Sequence, residues 1–338
     1  QTVTSGLTLP WAVEQLPDGR LLVTEKPGNL RIITPEGVIS APVTGVPAVR
    51  YMGQAGLLDV ALDPDYASNH TIFFCYSEQR DGGSGVALAR AVLVEDAKGA
   101  HLDQLKVIFH ALPTIESDRQ LGSRISFGKD GKLYLTLGER GITAAVGQAQ
   151  DLSSDFGKVA RLNPDGSIPK DNPFVGRSDA RPEIWSYGHR DAQSLAVDLA
   201  SGKVWSIEHG PRGGDELNLI KPGVNYGWPV ICYGIDYPGT KVGAGITQKE
   251  GMEQPVYYWD PVIAPSGMAL YSGDMFPEWK GSIFVGGLIG MKLVRLQMDG
   301  EKVVGEEWLL ADLHQRIRDV QQGNDGAIYV LTESGEKS

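Results

Sequence analysis

One short pattern returns six times along the chain, and this repetition constrains the fold more than any other feature of the sequence. Each copy is an apolar run, a turn rich in Asp, Gly or Pro, and a second β-rich run. The copies begin at Trp11, Leu58, Ile125, Leu195, Met268 and Ile317, and their turns carry Asp18-Gly19, Pro64-Asp65, Asp130-Gly131, Gly202, Gly281 and Asp325-Gly326. Most copies are followed by a further alternating run, at 30–33, 87–92, 158–162, 216–220 and 293–298. Two hairpins per unit make a four-stranded sheet, and radial repetition of such sheets makes a propeller. The expected fold is all-β, a six-bladed β-propeller of four-stranded antiparallel sheets. No Gly/Ser linker or charge block divides it, so residues 1–338 are expected to form a single domain. The last copy lacks its second hairpin, and Thr2-Val3-Thr4 is expected to supply a strand there and close the ring. The segments 78–86, 138–157, 164–183 and 232–266 read as long loops, and in propellers the loops at one end of the channel carry function.

Composition agrees with many turns. The 43 glycines and 20 prolines make up nearly a fifth of the 338 residues, against an average of about 12%. A formal net charge of −11 argues against a nucleic-acid partner, which would need lysine and arginine to neutralise phosphates. Cys75 and Cys232 are the only cysteines, too few for a disulfide framework or a zinc ribbon. No apolar run reaches the roughly 20 residues of a membrane helix. The first residue is Gln1 rather than Met, which fits a removed signal segment and a periplasmic or secreted protein.

The most ligand-like stretch is 205–229. An apolar run enters His209-Gly210-Pro211-Arg212-Gly213-Gly214-Asp215-Glu216, and the chain returns to a corner at Asn225-Tyr226-Gly227-Trp228-Pro229. Glycine lets backbone approach a ligand, and carbonyls beside carboxylates are the hard oxygen donors that calcium prefers. A tight turn between two strands would have the same composition. Further motifs are Gly53-Gln54-Ala55-Gly56-Leu57-Leu58, Trp185-Ser-Tyr-Gly188-His189-Arg190, Ala264-Pro265-Ser266-Gly267-Met268 and Arg316-Ile317-Arg318-Asp319-Val320.

In this order the motifs resemble those of the soluble pyrroloquinoline quinone (PQQ)-dependent dehydrogenases, the aldose sugar dehydrogenase and soluble glucose dehydrogenase family, over nearly the whole chain. The resemblance implies a six-bladed propeller with PQQ and calcium in its channel. It implies oxidation of the anomeric carbon of a small-molecule sugar to a lactone, and an external electron acceptor. Neither a nucleic acid nor a membrane span is expected, and the protein is expected as a monomer or homodimer. PQQ is a tricarboxylate, and Arg316 and Arg318, two apart on a strand, point to one side as carboxylate clamps would. By the same resemblance, Arg190 lies by the reactive quinone carbonyl, where a fixed positive charge stabilises a developing oxyanion. Gln54, His209 and Thr332 match cofactor contacts. The carbonyls of Gly210 and Pro211 match those that hold the cofactor's calcium, a Lewis acid in the reaction, while Glu216 and Tyr226 match a second, structural calcium site.

Three positions depart from the family pattern. Gln120 stands where the catalytic histidine is expected, and glutamine cannot take the sugar's hydroxyl proton. Asp191 stands where a neutral amide would face the cofactor, and Ile289 where a lysine is often found, with Lys292 nearby. Asp118 and Asp191 are candidate replacement bases, whereas His189 and His209 are read by default as structural histidines. The expected function is therefore a quinoprotein sugar dehydrogenase. The alternatives are a propeller with a base-deficient pocket that binds a ligand with little turnover, and a remodelled channel that runs a different reaction.

Overall fold

The computed structural model describes residues 1–333. Alternating apolar residues and tight turns produce an antiparallel chain of hairpins throughout. The first sheet holds β1 (Pro10–Gln15), β2 (Leu21–Glu25) and β3 (Asn29–Ile33). The second holds β4 (Leu57–Leu62), β5 (Thr71–Arg80), β6 (Gly83–Asp96) and β7 (Gly99–His110). The third holds β8 (Gly122–Phe127), β9 (Leu133–Leu137), β10 (Lys158–Leu162) and β11 (Ile184–Tyr187). The fourth holds β12 (Ala192–Val197), β13 (Val204–Glu208), β14 (Asp215–Ile220) and β15 (Tyr257–Trp259). The fifth holds β16 (Pro265–Leu270), β17 (Ile283–Gly287), β18 (Lys292–Asp299) and β19 (Lys302–Leu309). Finally, β20 (Arg316–Gln322) and β21 (Ile328–Glu333) form a two-stranded ribbon. No described helix is long and apolar enough to cross a membrane.

All six repeated hairpins are present as strand pairs, β1–β2, β4–β5, β8–β9, β12–β13, β16–β17 and β20–β21. Their turns are fixed locally: Gly19 adopts φ 86° and Gly326 φ 81°, a region a side chain resists. The innermost strands pack in a ring, β1 on β4, then β8, β12, β16 and β20, which returns to β1. Apolar faces of neighbouring sheets interleave between them. Leu22, Val60, Phe73, Leu88 and Leu135 share one buried cluster, and Trp205, Ile207, Val285 and Val294 another.

The expectation of six four-stranded blades is overturned. The propeller has five blades, four of them four-stranded and the first three-stranded, and the remaining hairpin is a ribbon too narrow to be a blade. In the first blade the chain still runs beside β3, with one bridge from Ile33 to Ile39 and backbone bonds from Ser40 N to Ile32 and from Val43 N to Leu30, but Pro42 brings no N–H and no fourth strand forms. At the ribbon, Thr2-Val3-Thr4 does not add the expected strand. Its one apolar side chain, Val3, is exposed, and the Thr4 hydroxyl donates instead to the Gly37 carbonyl at 2.7 Å. Segment 78–86 is not a long loop either, because β5 and β6 continue to a tight turn with Arg80 opposite Gly83.

The ring is tied at its axis by a buried ionic cluster. Arg124 on β8 pairs with Asp59 of β4 at 2.9 Å and with Asp319 of β20 at 3.1 Å. Its Nε donates to the Gln193 carbonyl on β12 at 3.3 Å, and its guanidinium lies 4.6 Å from the centre of the Trp11 ring on β1. The second carboxylate oxygens accept backbone N–H groups, Asp319 from Val13 at 2.9 Å and Asp59 from Ile125 at 2.7 Å. Burial works against the charge on Arg124, but Asp319 and Asp59 outweigh it and hold the pKa above its ordinary value. A cavity of about 630 Å³, lined by Arg124, Asp59 and Asp319, lies on one side of this cluster. One of about 520 Å³ opens by Trp11, Leu58, Leu121 and Gln193 on the other.

Arg124→Met leaves two buried carboxylates without a partner and is expected to cost about 3–5 kcal/mol, read from the urea midpoint. Adding Asp59→Asn and Asp319→Asn should recover part of that loss, and an unchanged midpoint in the single variant would mean that the cluster contributes nothing to stability. Removing residues 1–5 is expected to leave the melting temperature almost unmoved, and a large drop would reinstate a closing strand.

Candidate functional site

The 520 Å³ cavity gathers Gln54, His209, Gly210, Pro211, Arg316 and Arg318. The loop bearing Gly210 turns back so tightly that a Cβ there would lie 2.3 Å from the Gly213 carbonyl oxygen, so this position requires glycine. Asp215 fastens the turn: one oxygen accepts from Gly210 N at 2.8 Å, the other from Ile263 N and Ala264 N, each at 2.8 Å. His209 Nε2 faces the Pro265 carbonyl at 2.7 Å, so that nitrogen carries the proton, and Nδ1 lies 3.7 Å from Asp191.

Gln120, Arg190 and Asp191 adjoin the cavity and are linked to its lining through their partners. The Gln120 backbone N–H donates to Gln54 Oε1 at 2.6 Å. With its amide oriented to satisfy both neighbours, Gln120 accepts from Arg190 Nη2 at 2.9 Å and donates to Glu139. Arg190 Nη1 donates to the carbonyls of Gly210 at 2.9 Å and His209 at 3.2 Å. The guanidinium lies 5.2 Å from the Trp228 ring centre, and its buried Nε has no hydrogen-bond partner. Asp191 is buried and accepts from Gly122 N at 3.1 Å.

Other expected residues lie elsewhere. Thr332 sits on β21 opposite Ile317 and does not line the cavity. Its neighbour Glu333 does, clasped between Arg316 at 2.9 Å and Arg318 at 2.8 Å. Burial alone would raise the Glu333 pKa, but Arg318 and Arg316 together hold it below its ordinary value. Glu216 and Tyr226 line a separate small cavity with Glu208. Asn218 bridges Glu208 and Glu216 at 2.9 and 3.1 Å, and burial, then the Glu208 charge, pushes Glu216 up to about 8. The Tyr226 hydroxyl donates to the Leu219 carbonyl at 2.6 Å, and its ring stacks on His189. His189 is wholly buried between Glu208 and Ser186, a structural histidine as expected. Ile289 lines the cavity exposed, while Lys292 is held over the Trp308 ring and does not replace a lysine there.

Four further residues receive no role from the sequence, although Arg212 lies within the glycine-rich motif. Lys26, at the end of β2, lines the cavity and donates to the Gly53 carbonyl at 3.1 Å, and Arg212 lines its rim. Glu333 is legible only as the acid directly across the ladder from Arg316. Glu139 is buried behind Gln120, with one carboxylate oxygen unpartnered. Burial, with Asp191 adding to it and Arg190 opposing, pushes Glu139 up to about 7.

The donor set fits a polyanionic cofactor. Lys26, Arg212, Arg316 and Arg318 face the cavity against two carboxylates, Asp215 and Glu333, in a chain of net charge −11. Of the two carbonyls expected to hold calcium, both on residues that line the cavity, Gly210 accepts one hydrogen bond from Arg190, which leaves its second lone pair, and among the described residues no three His, Cys, Asp or Glu are grouped to hold a metal.

Residues 7–338 match the glucose/sorbosone dehydrogenase family model, and the chain belongs to that family. It is 42% identical over 332 residues to aldose sugar dehydrogenase YliI of Escherichia coli, covering 97% of this chain and 88% of that protein. A crystal structure of a glucose dehydrogenase superposes with a TM-score of 0.94 at 42% identity, covering 98% of this chain and 95% of the other. The PQQ-bound aldose sugar dehydrogenase of Streptomyces coelicolor gives 0.76 at 32% identity, covering 95% and 86%.

Because the folded Glu139 value, about 7, lies above its ordinary 4.5, the fold takes up a proton here. The contribution to stability is full below about 4.5 and is lost as pH rises through 7. Glu139→Gln should therefore flatten the decline of melting temperature between those pH values. Parallel profiles for the two proteins would contradict the assignment.

Proposed function

We propose that this chain is a PQQ-dependent aldose dehydrogenase that oxidises the C1 hydroxyl of a sugar to a lactone. The observation that carries the reading is the convergence of Lys26, Arg212, Arg316 and Arg318 on one cavity beside Gln54, Gly210 and Pro211. Family membership and the PQQ-bound relative support the same cofactor. A single domain exported to the periplasm or beyond, a sugar substrate and an external electron acceptor go with this reading.

When bound, PQQ supplies a quinone carbonyl that takes hydride from C1. Arg316, Arg318, Lys26 and Arg212 would hold its carboxylates, with Arg316 and Arg318 exchanging part of their pairing with Glu333 for the ligand. Arg190 offers a fixed positive charge to an oxygen that becomes anionic, and its unpartnered Nε is a donor with no competing bond. The carbonyls of Gly210 and Pro211 would hold a calcium ion, and the bond from Arg190 leaves the Gly210 oxygen a second lone pair for it.

The proton is the weak point. Gln120 cannot accept it, Asp191 is buried and bonded to Gly122 N, and Asp118, the other candidate base, lies with its carboxylate against Gly53 of the cavity lining. Gln120 is clasped between Glu139 and Arg190. This favours a second reading, a pocket that binds PQQ and turns over slowly.

The test is titration of the purified protein with PQQ, followed by glucose, with cofactor absorbance recorded. Binding followed by slow reduction is expected. Gln120→His should accelerate reduction by about 10²–10⁴-fold, the usual contribution of a general base. No PQQ binding would end both readings.

A further inference from the structure

The two ends of the channel differ in sign. Lys26, Arg212, Arg316 and Arg318 face the cavity that gathers the candidate site, whereas the cavity of about 630 Å³ on the other side of the axial cluster is lined by Glu14, Asp59 and Asp319 against Arg124 and Lys129. All six innermost strands contribute to its wall. Arg124 is already paired with Asp59 and Asp319, and Lys129 is exposed and donates to the Ala200 carbonyl at 3.3 Å. Glu14 is left over. Gln321 Nε2 donates to its two carboxylate oxygens at 3.1 and 3.2 Å, and no cation among the described residues pairs with it. Burial, followed by the charges of Asp59 and Asp319, pushes the Glu14 pKa up to about 8. Between these acids the wall is apolar, formed by Val13, Ala61, Leu195, Met268, Ala269 and Val320. A cavity of this size, mostly apolar with a few convergent polar groups, has the proportions of a small-molecule site.

We propose that this cavity is a second binding site and takes a small alkylammonium compound, with the ammonium on Glu14 and the alkyl chain on the apolar wall. An ammonium brings one charge and three donors, so it meets the remaining acceptor capacity of the carboxylate while Gln321 keeps its bond. The pair is charge-assisted, the stronger class of hydrogen bond. The alkyl chain is covered by side chains that otherwise face water inside the cavity. The proposal stands independently of the cofactor reading.

The test is calorimetric titration of the full chain with n-butylammonium chloride at about pH 9, above the Glu14 value of about 8. One molecule is expected to bind, at least about tenfold tighter than 1-butanol and about tenfold tighter than ethylammonium, which lacks two methylenes. Glu14→Gln keeps the shape and the bond to Gln321 and should weaken butylammonium binding at least about tenfold. No binding by the wild type, equal binding of 1-butanol, or equal binding by Glu14→Gln overturns the proposal. Calcium that binds the wild type more tightly than butylammonium and is lost in Glu14→Gln makes this a metal site and overturns it too. Should the variant prove unfolded by circular dichroism, hydrogen exchange of the wild type decides. Protection by butylammonium around Glu14 and Gln321 supports the proposal, and protection only elsewhere overturns it.

Discussion

A single buried guanidinium holds the ring together. Arg124 reaches Asp59, Asp319, Gln193 and Trp11, so five of the six innermost strands, counting its own, meet at one side chain. Sheets arranged radially share no strand ladder, and their packing is mostly apolar and non-directional. The ion cluster adds direction. Each carboxylate gives one oxygen to Arg124 and the other to a backbone N–H, of Val13 or Ile125, which fixes the rotation of inner strands about the axis. The loops that build the functional cavity hang from the ends of these same strands, so the accuracy of the site depends on this tie.

Around the mouth, charge is arranged against the sign of the whole molecule. Four cationic side chains face one cavity in an acidic chain, and two of them are clasped by Glu333. Such an arrangement concentrates an anionic ligand locally while the remaining surface repels it. Glu333 also keeps Arg316 and Arg318 in fixed rotamers, which lowers the ordering cost when a carboxylate enters. Gln120 bonds both of its neighbours but cannot titrate, and a titratable group in contact with it, Glu139, is shut behind it.

The hairpin repeat is legible in the sequence because its determinants are local. Asp-Gly turns and alternating apolar runs are written within a dozen residues, and all six hairpins form where they recur. The number of blades is not, because outer strands depend on what lies beside them. Prolines after Ile39 and a polar N-terminal segment leave two sheets incomplete, and neither fact shows in the repeat itself. The same division holds for the site. Arg316 and Arg318 are readable from their spacing of two, and the glycine turn at Gly210 from its composition. Lys26, Glu139 and Glu333 are not, since each is an ordinary residue at or near a strand end that gains meaning only when strands distant in sequence meet. Thr332 shows the converse, a position one residue from the cavity lining on a strand whose faces alternate.

The axial cluster has a further effect on traffic. With Arg124, Asp59 and Asp319 seated at mid-depth, the channel is a well with a floor, and the rim of Arg212, Val262 and Ile289 is its doorway. Whatever enters by the doorway must leave by it, so one opening serves both arrival and departure.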